Sequence, residues 1–167
     1  LDNVASLGGD FDIPLETKPI VVKVSPCGRW IVSKNGVSQR SGVVTLFSTK
    51  TNERLWEHES AGVERFPALG VEVAIDPIGE RVAFVCPDNS LGIYECRTGS
   101  LSCSIPHGQE RQFAELRYSM DGRHLVAKES PSRLKGELRV RDLEREAEVL
   151  TFDSQTGALL ERRILSR

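Results

Sequence analysis

Short runs of alternating apolar and polar residues recur along the chain and predict β-strands. Val22 and Val24 flank Lys23, and the run from Val71 to Ile75 alternates in the same way. Successive side chains of a strand point to opposite faces of its sheet, so this pattern is typical of strands with one buried face and one more exposed face. The chain is therefore predicted to be built mainly from β-sheet.

Three segments repeat one order of elements: strand, tight turn, strand, polar loop, strand, turn, strand. Each first turn ends in glycine, and the three turns are Ser25–Gly28, Asp76–Gly79 and Ser119–Gly122. Proline, aspartate and glycine suit the backbone geometry of such turns. The turn glycines lie about 43 to 51 residues apart, which is close to the period of a four-stranded propeller blade. We predict an all-β chain that forms a partial β-propeller of about three four-stranded antiparallel blades.

The turns resemble those of the WD-repeat family, in which Ser-Pro-Asp-Gly joins the first two strands of a blade. The family's Trp-Asp-x-x-Thr-Gly ending is similar to Tyr94–Gly99 and Phe152–Gly157, although the chain has no Trp-Asp dipeptide and no Gly-His before its first strands. The resemblance runs from about Pro19 to the C-terminus and implies a WD-repeat-like propeller that binds proteins. It also places Asp88 where the family's buried structural aspartate lies, without a clear histidine partner.

The repeat divides the chain into an N-terminal extension, 1–18, and a propeller segment, 19–167. The blades are expected at about 19–60, 61–109 and 110–167. The third blade has two strand interpretations, which can both hold if Leu138–Asp142 extends the hairpin of the second strand across an insertion, and a rival helical one. Glu137–Asp142 fits a third strand by its spacing, Val149–Leu160 better matches a hairpin of third and fourth strands, and Arg141–Leu150 could form a short helix.

Composition narrows the class of protein. The 167 residues carry a formal net charge of −2 and have a pI near 6.0, which argues against nucleic acid as the partner, since such proteins usually show a strongly basic face. The chain lacks the long apolar run of a membrane span. Its four cysteines match no zinc pattern, and we expect reduced thiols, with Cys96–Cys103 as the disulfide alternative. These features favour a cytoplasmic location and leave the nucleus open.

Catalytic chemistry has little support in the sequence. The three histidines, His58, His107 and His124, lie in no hydrolase or metal-binding motif. The carboxylates of Glu144–Glu148 alternate with arginine and fit a solvated ion-paired face. We therefore expect no enzyme activity, no cofactor and no metal site. The rival hypothesis is that the chain is the sensor or substrate-gating portion of a larger enzyme or signalling protein.

Loops between second and third strands share one edge of a propeller and are its expected binding surface. The first and third of these loops are basic, and the second is short and polar. The predicted partner-binding residues are Arg40, Asp88, Asn89, Arg133 and Lys135. Trp56 is added as a contact anchor, although a place in the core is its competing interpretation. Because three blades do not close a ring, we predict a protein partner or self-association that completes the propeller.

Overall fold

Twelve β-strands make up the regular structure of the described residues. The computed structural model describes residues 20–36, 41–61, 73–107, 111–131 and 147–165. Within these ranges the strands form three four-stranded antiparallel sheets. Sheet 1 holds β1 (Val21–Val24), β2 (Trp30–Gly36), β3 (Ser41–Ser48) and β4 (Arg54–Ala61); sheet 2 holds β5 (Val73–Ile75), β6 (Arg81–Val85), β7 (Leu91–Glu95) and β8 (Leu101–Ile105); sheet 3 holds β9 (Arg111–Tyr118), β10 (His124–Pro131), β11 (Glu148–Asp153) and β12 (Leu159–Ile164).

The three sheets are copies of one pattern. In each of them the strands lie side by side in chain order, and the third and fourth strands shift register at the same place, after Leu46, Ile93 and Thr151. Sheet 2 packs between sheets 1 and 3, and β5 approaches β9 more closely than the other strands of those sheets approach each other. The first strands of sheets 2 and 3 therefore meet at one side of the stack. The three four-stranded antiparallel sheets confirm the predicted partial β-propeller.

The described part of sheet 3 tests two of the three interpretations of its sequence. β11 and β12 pair as third and fourth strands, so the hairpin interpretation of the Val149–Leu160 segment is confirmed. The helix proposed for Arg141–Leu150 is wrong at its C-terminal end, because residues 148–150 belong to β11. Pairing with β10 satisfies the backbone of those residues, and Leu150 and Phe152 bury their side chains on the face toward sheet 2. The alternative strand at Glu137–Asp142 lies outside the described residues.

An apolar cluster joins sheets 1 and 2. Val32, Val44 and Leu46 of sheet 1 are fully buried against sheet 2. Phe84 and Tyr94 stack with ring centroids 4.6 Å apart, and the rings of Trp56 and His58 lie beside Tyr94. Offset stacks of this kind add stability beyond the area that they bury.

A second cluster joins sheets 2 and 3 and is mostly aliphatic. Its members share near-complete burial and include Ala83, Leu91, Ile93, Ile105, Phe113, Leu116, Leu125, Ala127, Leu150 and Phe152. A polar pair sits at its edge, where Nδ1 of His107 lies 3.0 Å from Oε1 of Glu129 and both side chains are buried. The His107 ring also stacks on Phe113, with centroids 4.2 Å apart.

The two outer faces of the stack differ from these interfaces. On the face of sheet 3 that points away from sheet 2, two ion pairs link exposed side chains, Arg117 to Glu115 and Arg163 to Glu161. On sheet 1, the first strand leaves Val22 and Val24 about half exposed, at 51% and 47%. One flank of the stack is therefore charged, and the other presents apolar side chains from its first strand.

Candidate interaction surface at the turn edge

Antiparallel pairing sorts the connections of the sheets onto two edges. The turns between first and second strands and between third and fourth strands lie at one edge, called here the turn edge. The connections between second and third strands lie at the opposite edge, called the loop edge. Of the predicted binding residues, Asp88 and Asn89 lie at the loop edge, whereas the described cavities lie at the turn edge.

One backbone hydrogen bond repeats at the turn edge of every sheet. The amide of Thr49 donates to the carbonyl oxygen of Arg29 at 3.0 Å, that of Cys96 to Glu80 at 2.8 Å, and that of Ser154 to Arg123 at 2.9 Å. Each bond ties the second turn of a sheet to its first turn. The residue after each turn glycine is thus fixed by its backbone, so its charged side chain projects from a rigid base.

Side chains from one sheet also reach the turns of the next. The indole N–H of Trp30 donates to the carbonyl oxygen of Gly79 at 2.6 Å, and that of Trp56 donates to Cys96 at 2.8 Å. In sheet 2, Arg81 occupies the position of Trp30, and its Nη1 lies 3.4 Å from Oγ of Ser154 in sheet 3. These contacts hold the turns of neighbouring sheets at fixed positions relative to one another.

Close packing explains a glycine in the second turn of sheet 2. Gly99 has φ of +70°, and a Cβ built on it would lie 2.8 Å from Cγ of Trp56. Asn52 holds the same place in sheet 1, also with positive φ. Asparagine tolerates this left-handed backbone. The approach of Trp56, rather than the backbone angle alone, therefore requires glycine at position 99.

A basic cavity of about 230 Å³ opens between the turns of sheets 1 and 2. Three arginines and two glutamates line it together with Gly79: Arg29, Arg81, Arg97, Glu80 and Glu95. Arg29 donates to the carbonyl oxygen of Ile78 and to Sγ of Cys27, and Glu95 accepts from the hydroxyl of Thr98 at 3.0 Å. Within the described part of the chain, the Arg97 guanidinium has no hydrogen bond or ion pair, so all of its donors are available to a ligand.

An acidic cavity of about 380 Å³ continues the first one between the turns of sheets 2 and 3. It shares Glu80 and Arg81 with the basic cavity and adds Asp121, Arg123, His124 and Asp153, with Ile78, Gly122, Ser154 and Gln155 completing its wall. The two cavities have Glu80 and Arg81 as a common wall and draw their other lining residues from all three sheets, and together they are called here the turn-edge groove. Its sheet 1 end carries an excess of arginine, and its sheet 3 end carries an excess of carboxylate.

The two aspartates at the acidic end stay ionised because local bonds favour the charged form. The hydroxyl of Ser119 and the amide of Arg123 donate to Asp121, and these bonds lower the pKa of its carboxyl. The amide and hydroxyl of Thr156 and the amide of Gln155 lower the pKa of Asp153 in the same way. All of these bonds use Oδ1, so within the described residues Oδ2 of each aspartate accepts no hydrogen bond.

The predicted loop-edge residues are only partly described. Arg40, Arg133 and Lys135 lie outside the described residues. Asp88 accepts bonds from the amide and hydroxyl of Ser90, at 2.9 and 2.7 Å, and these bonds lower the pKa of its carboxyl. Asn89 has φ of +68° in the same turn. Asp88 is exposed, so the expectation of a buried structural aspartate at this position is wrong. Its carboxylate instead stabilises the turn between β6 and β7.

The Trp56 side chain makes contacts within the interface between sheets 1 and 2. Its ring covers Gly99, lies beside His58 and Tyr94, and is partly buried. His58 contacts the carbonyl oxygen of Gly99 at 2.8 Å. The anchor role of Trp56 toward a partner stays a prediction, and the contacts just described favour its role in the interface between sheets 1 and 2.

The turn-edge groove was missed in the sequence. Its signal was present, because the residue after the turn glycine is charged in all three repeats, as Arg29, Glu80 and Arg123. The long, basic loops between second and third strands are the more conspicuous feature of the sequence, and they belong to the opposite edge. What the sequence does not show is that turns from neighbouring sheets come together, since this depends on packing between sheets.

The cysteines are free thiols in quite different surroundings. Cys27, Cys86, Cys96 and Cys103 form no disulfide. Burial, with a smaller effect from the nearby Asp76 carboxylate, raises the pKa of Cys96 to about 12. Burial acts to raise the pKa of the exposed Cys27 as well, but hydrogen bonds with Ser25 and Arg29 outweigh it and lower that pKa. In the described part of the chain, no group of three His, Cys, Asp or Glu side chains could hold a metal ion.

None of the described ranges contains a helix long and apolar enough to cross a bilayer.

Comparisons with known proteins identify the fold and nothing narrower. No protein-family model matches the chain, and no curated protein does. Solved structures do match. BamB from Moraxella catarrhalis is 15% identical, with a TM-score of 0.58, and the match covers 87% of this chain and 37% of BamB. The WD40 domain of Toxoplasma gondii coronin is 13% identical, with a TM-score of 0.58 and coverage of 91% and 35%, and U3-55K is 13% identical, with a TM-score of 0.61 and coverage of 90% and 40%. The chain has a WD-repeat-like propeller fold and spans less than half the length of these structures.

Proposed function

We propose that the chain is part of a non-enzymatic protein-interaction scaffold and that its turn-edge groove contacts the partner. The observation that carries this proposal is the groove itself, which crosses three sheets and is lined by charged side chains on turns tied together by hydrogen bonds. A rigid frame that presents charged groups loses little conformational entropy on binding. Such a surface suits recognition of another protein.

A second part of the proposal concerns the flank of sheet 1. Ile20, Val22 and Val24 expose apolar side chains on or beside the first strand, at 44%, 51% and 47%. Apolar surface of this kind is stabilised by a neighbour. The short span of the chain relative to the matching structures agrees with this. We propose that further protein, from a larger propeller or from a complex, packs on this flank.

Charge changes in the groove test the scaffold proposal. Full-length protein carrying Arg29→Glu and Arg97→Glu is expressed in cells of its source, and its neighbours are identified by proximity labelling. The matched control carries Arg163→Glu and Arg162→Glu on β12, away from the groove. Loss of specific neighbours in the groove variant alone supports the proposal. Equal recovery with both variants would remove the groove from it.

The loop edge remains a second proposed contact surface. Arg40, Arg133 and Lys135 would supply a basic rim beside Asp88 and Asn89. The same labelling experiment with those three residues changed to glutamate separates the two edges. Neighbours lost with the loop-edge variant and retained with the groove variant would transfer the binding role to the loop edge.

A further inference from the structure

The two ends of the turn-edge groove differ in charge, and this difference specifies a partner. At the sheet 1 end, Arg29 and Arg97 outnumber Glu95. At the sheet 3 end, Asp121 and Asp153 outnumber Arg123. Between the ends, Glu80 and Arg81 line both cavities and balance each other. A ligand of a single charge sign would be attracted to one end and repelled at the other.

Available hydrogen-bonding groups add direction to this charge pattern. The free guanidinium of Arg97 offers paired donors that match a carboxylate. At the other end, Oδ2 of Asp121 and Oδ2 of Asp153 offer acceptors to an ammonium or guanidinium group, because local turn bonds use only Oδ1. The groove thus has unused donors at one end and unused acceptors at the other.

We propose that the turn-edge groove binds an extended polypeptide segment with an acidic end and a basic end, the acidic end lying against Arg29 and Arg97 and the basic end against Asp121 and Asp153. This inference rests on the proposed scaffold function and adds the chemistry of the partner. The segment crosses the turns of all three sheets, so its affinity depends on the spacing that the sheet interfaces maintain.

Synthetic peptides test this inference on the full chain. The probe carries a pair of glutamates and a pair of lysines at opposite ends of a Gly-Ser spacer, made in both chain directions. The control peptide has the same composition with the charges interleaved. Fluorescence anisotropy at low and at physiological salt gives the dissociation constants. We expect one direction of the bipolar peptide to bind about tenfold tighter than the interleaved peptide, and this preference to shrink as salt screens the charges.

Charge-neutralising variants assign the two ends. Arg97→Gln and Asp121→Asn should each raise the dissociation constant of the bipolar peptide about two- to fivefold, which is the range expected for an exposed charge pair. Asp121→Asn retains Oδ1 as the acceptor of the turn bonds, so the turn should stay intact. Arg163→Gln and Glu59→Gln, which change the same charges away from the groove, should leave binding unchanged. A peptide with only glutamates should bind equally well to the wild type and to Asp121→Asn. A peptide with only lysines should bind equally well to the wild type and to Arg97→Gln.

The outcomes separate this inference from the proposed function. Equal binding of bipolar and interleaved peptides, or equal effects of groove and control variants, would overturn the bipolar partner. If cellular neighbours still depend on Arg29 and Arg97, the scaffold proposal would survive that result. If the neighbours show no such dependence, the turn-edge groove would lose its role as the binding surface as well.

Discussion

Sheet 2 and sheet 3 present the same face of the repeat to very different surroundings. On sheet 2, Ile93 is fully buried and Cys103 is partly buried against sheet 3. At the same register positions of sheet 3, Thr151 is partly exposed and Glu161 is exposed. On this face of the repeat, the apolar residues are thus concentrated where a described sheet packs. Stability should come mainly from the two internal interfaces, and the outward face of sheet 3 should contribute little.

The largest contrast should appear between Leu46→Ala and Thr151→Ala, which occupy one register position. Leu46 is fully buried between sheets 1 and 2, so its truncation should lower the free energy of unfolding by about 2 to 5 kcal/mol. Thr151→Ala shortens a partly exposed side chain and should cost less than about 1 kcal/mol. Urea denaturation followed by circular dichroism measures both. Equal losses would show that the outward face of sheet 3 is as tightly packed as an interface.

A second contrast uses the turn residues Gly99 and Asn52. Gly99→Asn places a side chain against Trp56 but keeps a residue that tolerates positive φ. Its effect on the free energy of unfolding therefore reports the contact between the sheets, and we expect a loss of about 1 to 3 kcal/mol. The reverse change, Asn52→Gly, meets no such ring and should alter stability by less than about 1 kcal/mol. Thermal denaturation of both variants provides the measurement. A harmless Gly99→Asn would mean that sheet 1 does not hold Trp56 over this turn.

Smaller effects should follow from single hydrogen bonds across the interface. Trp30→Phe keeps an aromatic ring but removes the indole donor to Gly79, and should cost about 1 kcal/mol. His124→Phe changes the same register position in sheet 3, where the side chain lines the acidic cavity and makes no described hydrogen bond to another sheet, and should be close to neutral. Paired urea titrations of the two variants are the check. A larger loss for His124→Phe would indicate that its ring makes a stabilising contact in the cavity.

The smallest effect concerns acid sensitivity of one turn. Hydrogen bonds lower the pKa of Asp153 in the folded chain, so its contribution to stability is present above the unfolded pKa and is lost as pH falls through the lower folded value. Ser48 holds the same position in sheet 1 and does not titrate. Asp153→Asn should therefore flatten the acid side of a plot of melting temperature against pH, and Ser48→Ala should leave its slope unchanged. An unaltered slope in Asp153→Asn would contradict the assigned bonds.

Local sequence was sufficient for the strands and the turns but not for the groove. The alternation around Val22 and the turn at Asp76–Gly79 predicted elements that the structure contains, because they depend on neighbours in the chain. The β11–β12 hairpin was also recognisable from its turn, Asp153–Gly157. The meeting of Arg97 with Arg29, and of His124 with Asp153, depends on register between strands and on packing between sheets. Those relations connect distant residues, and no local pattern specifies them.

The central claim is that the interfaces join three sheets into one frame that presents the groove. Both tryptophans of the chain, Trp30 and Trp56, lie in sheet 1, whereas Leu125 is buried between sheets 2 and 3. Chemical denaturation of Leu125→Ala, followed by tryptophan fluorescence and by far-ultraviolet circular dichroism, therefore tests the claim directly. We predict that both signals shift together to lower denaturant. A fluorescence transition that stays at the wild-type midpoint while the dichroism shifts would contradict the single frame.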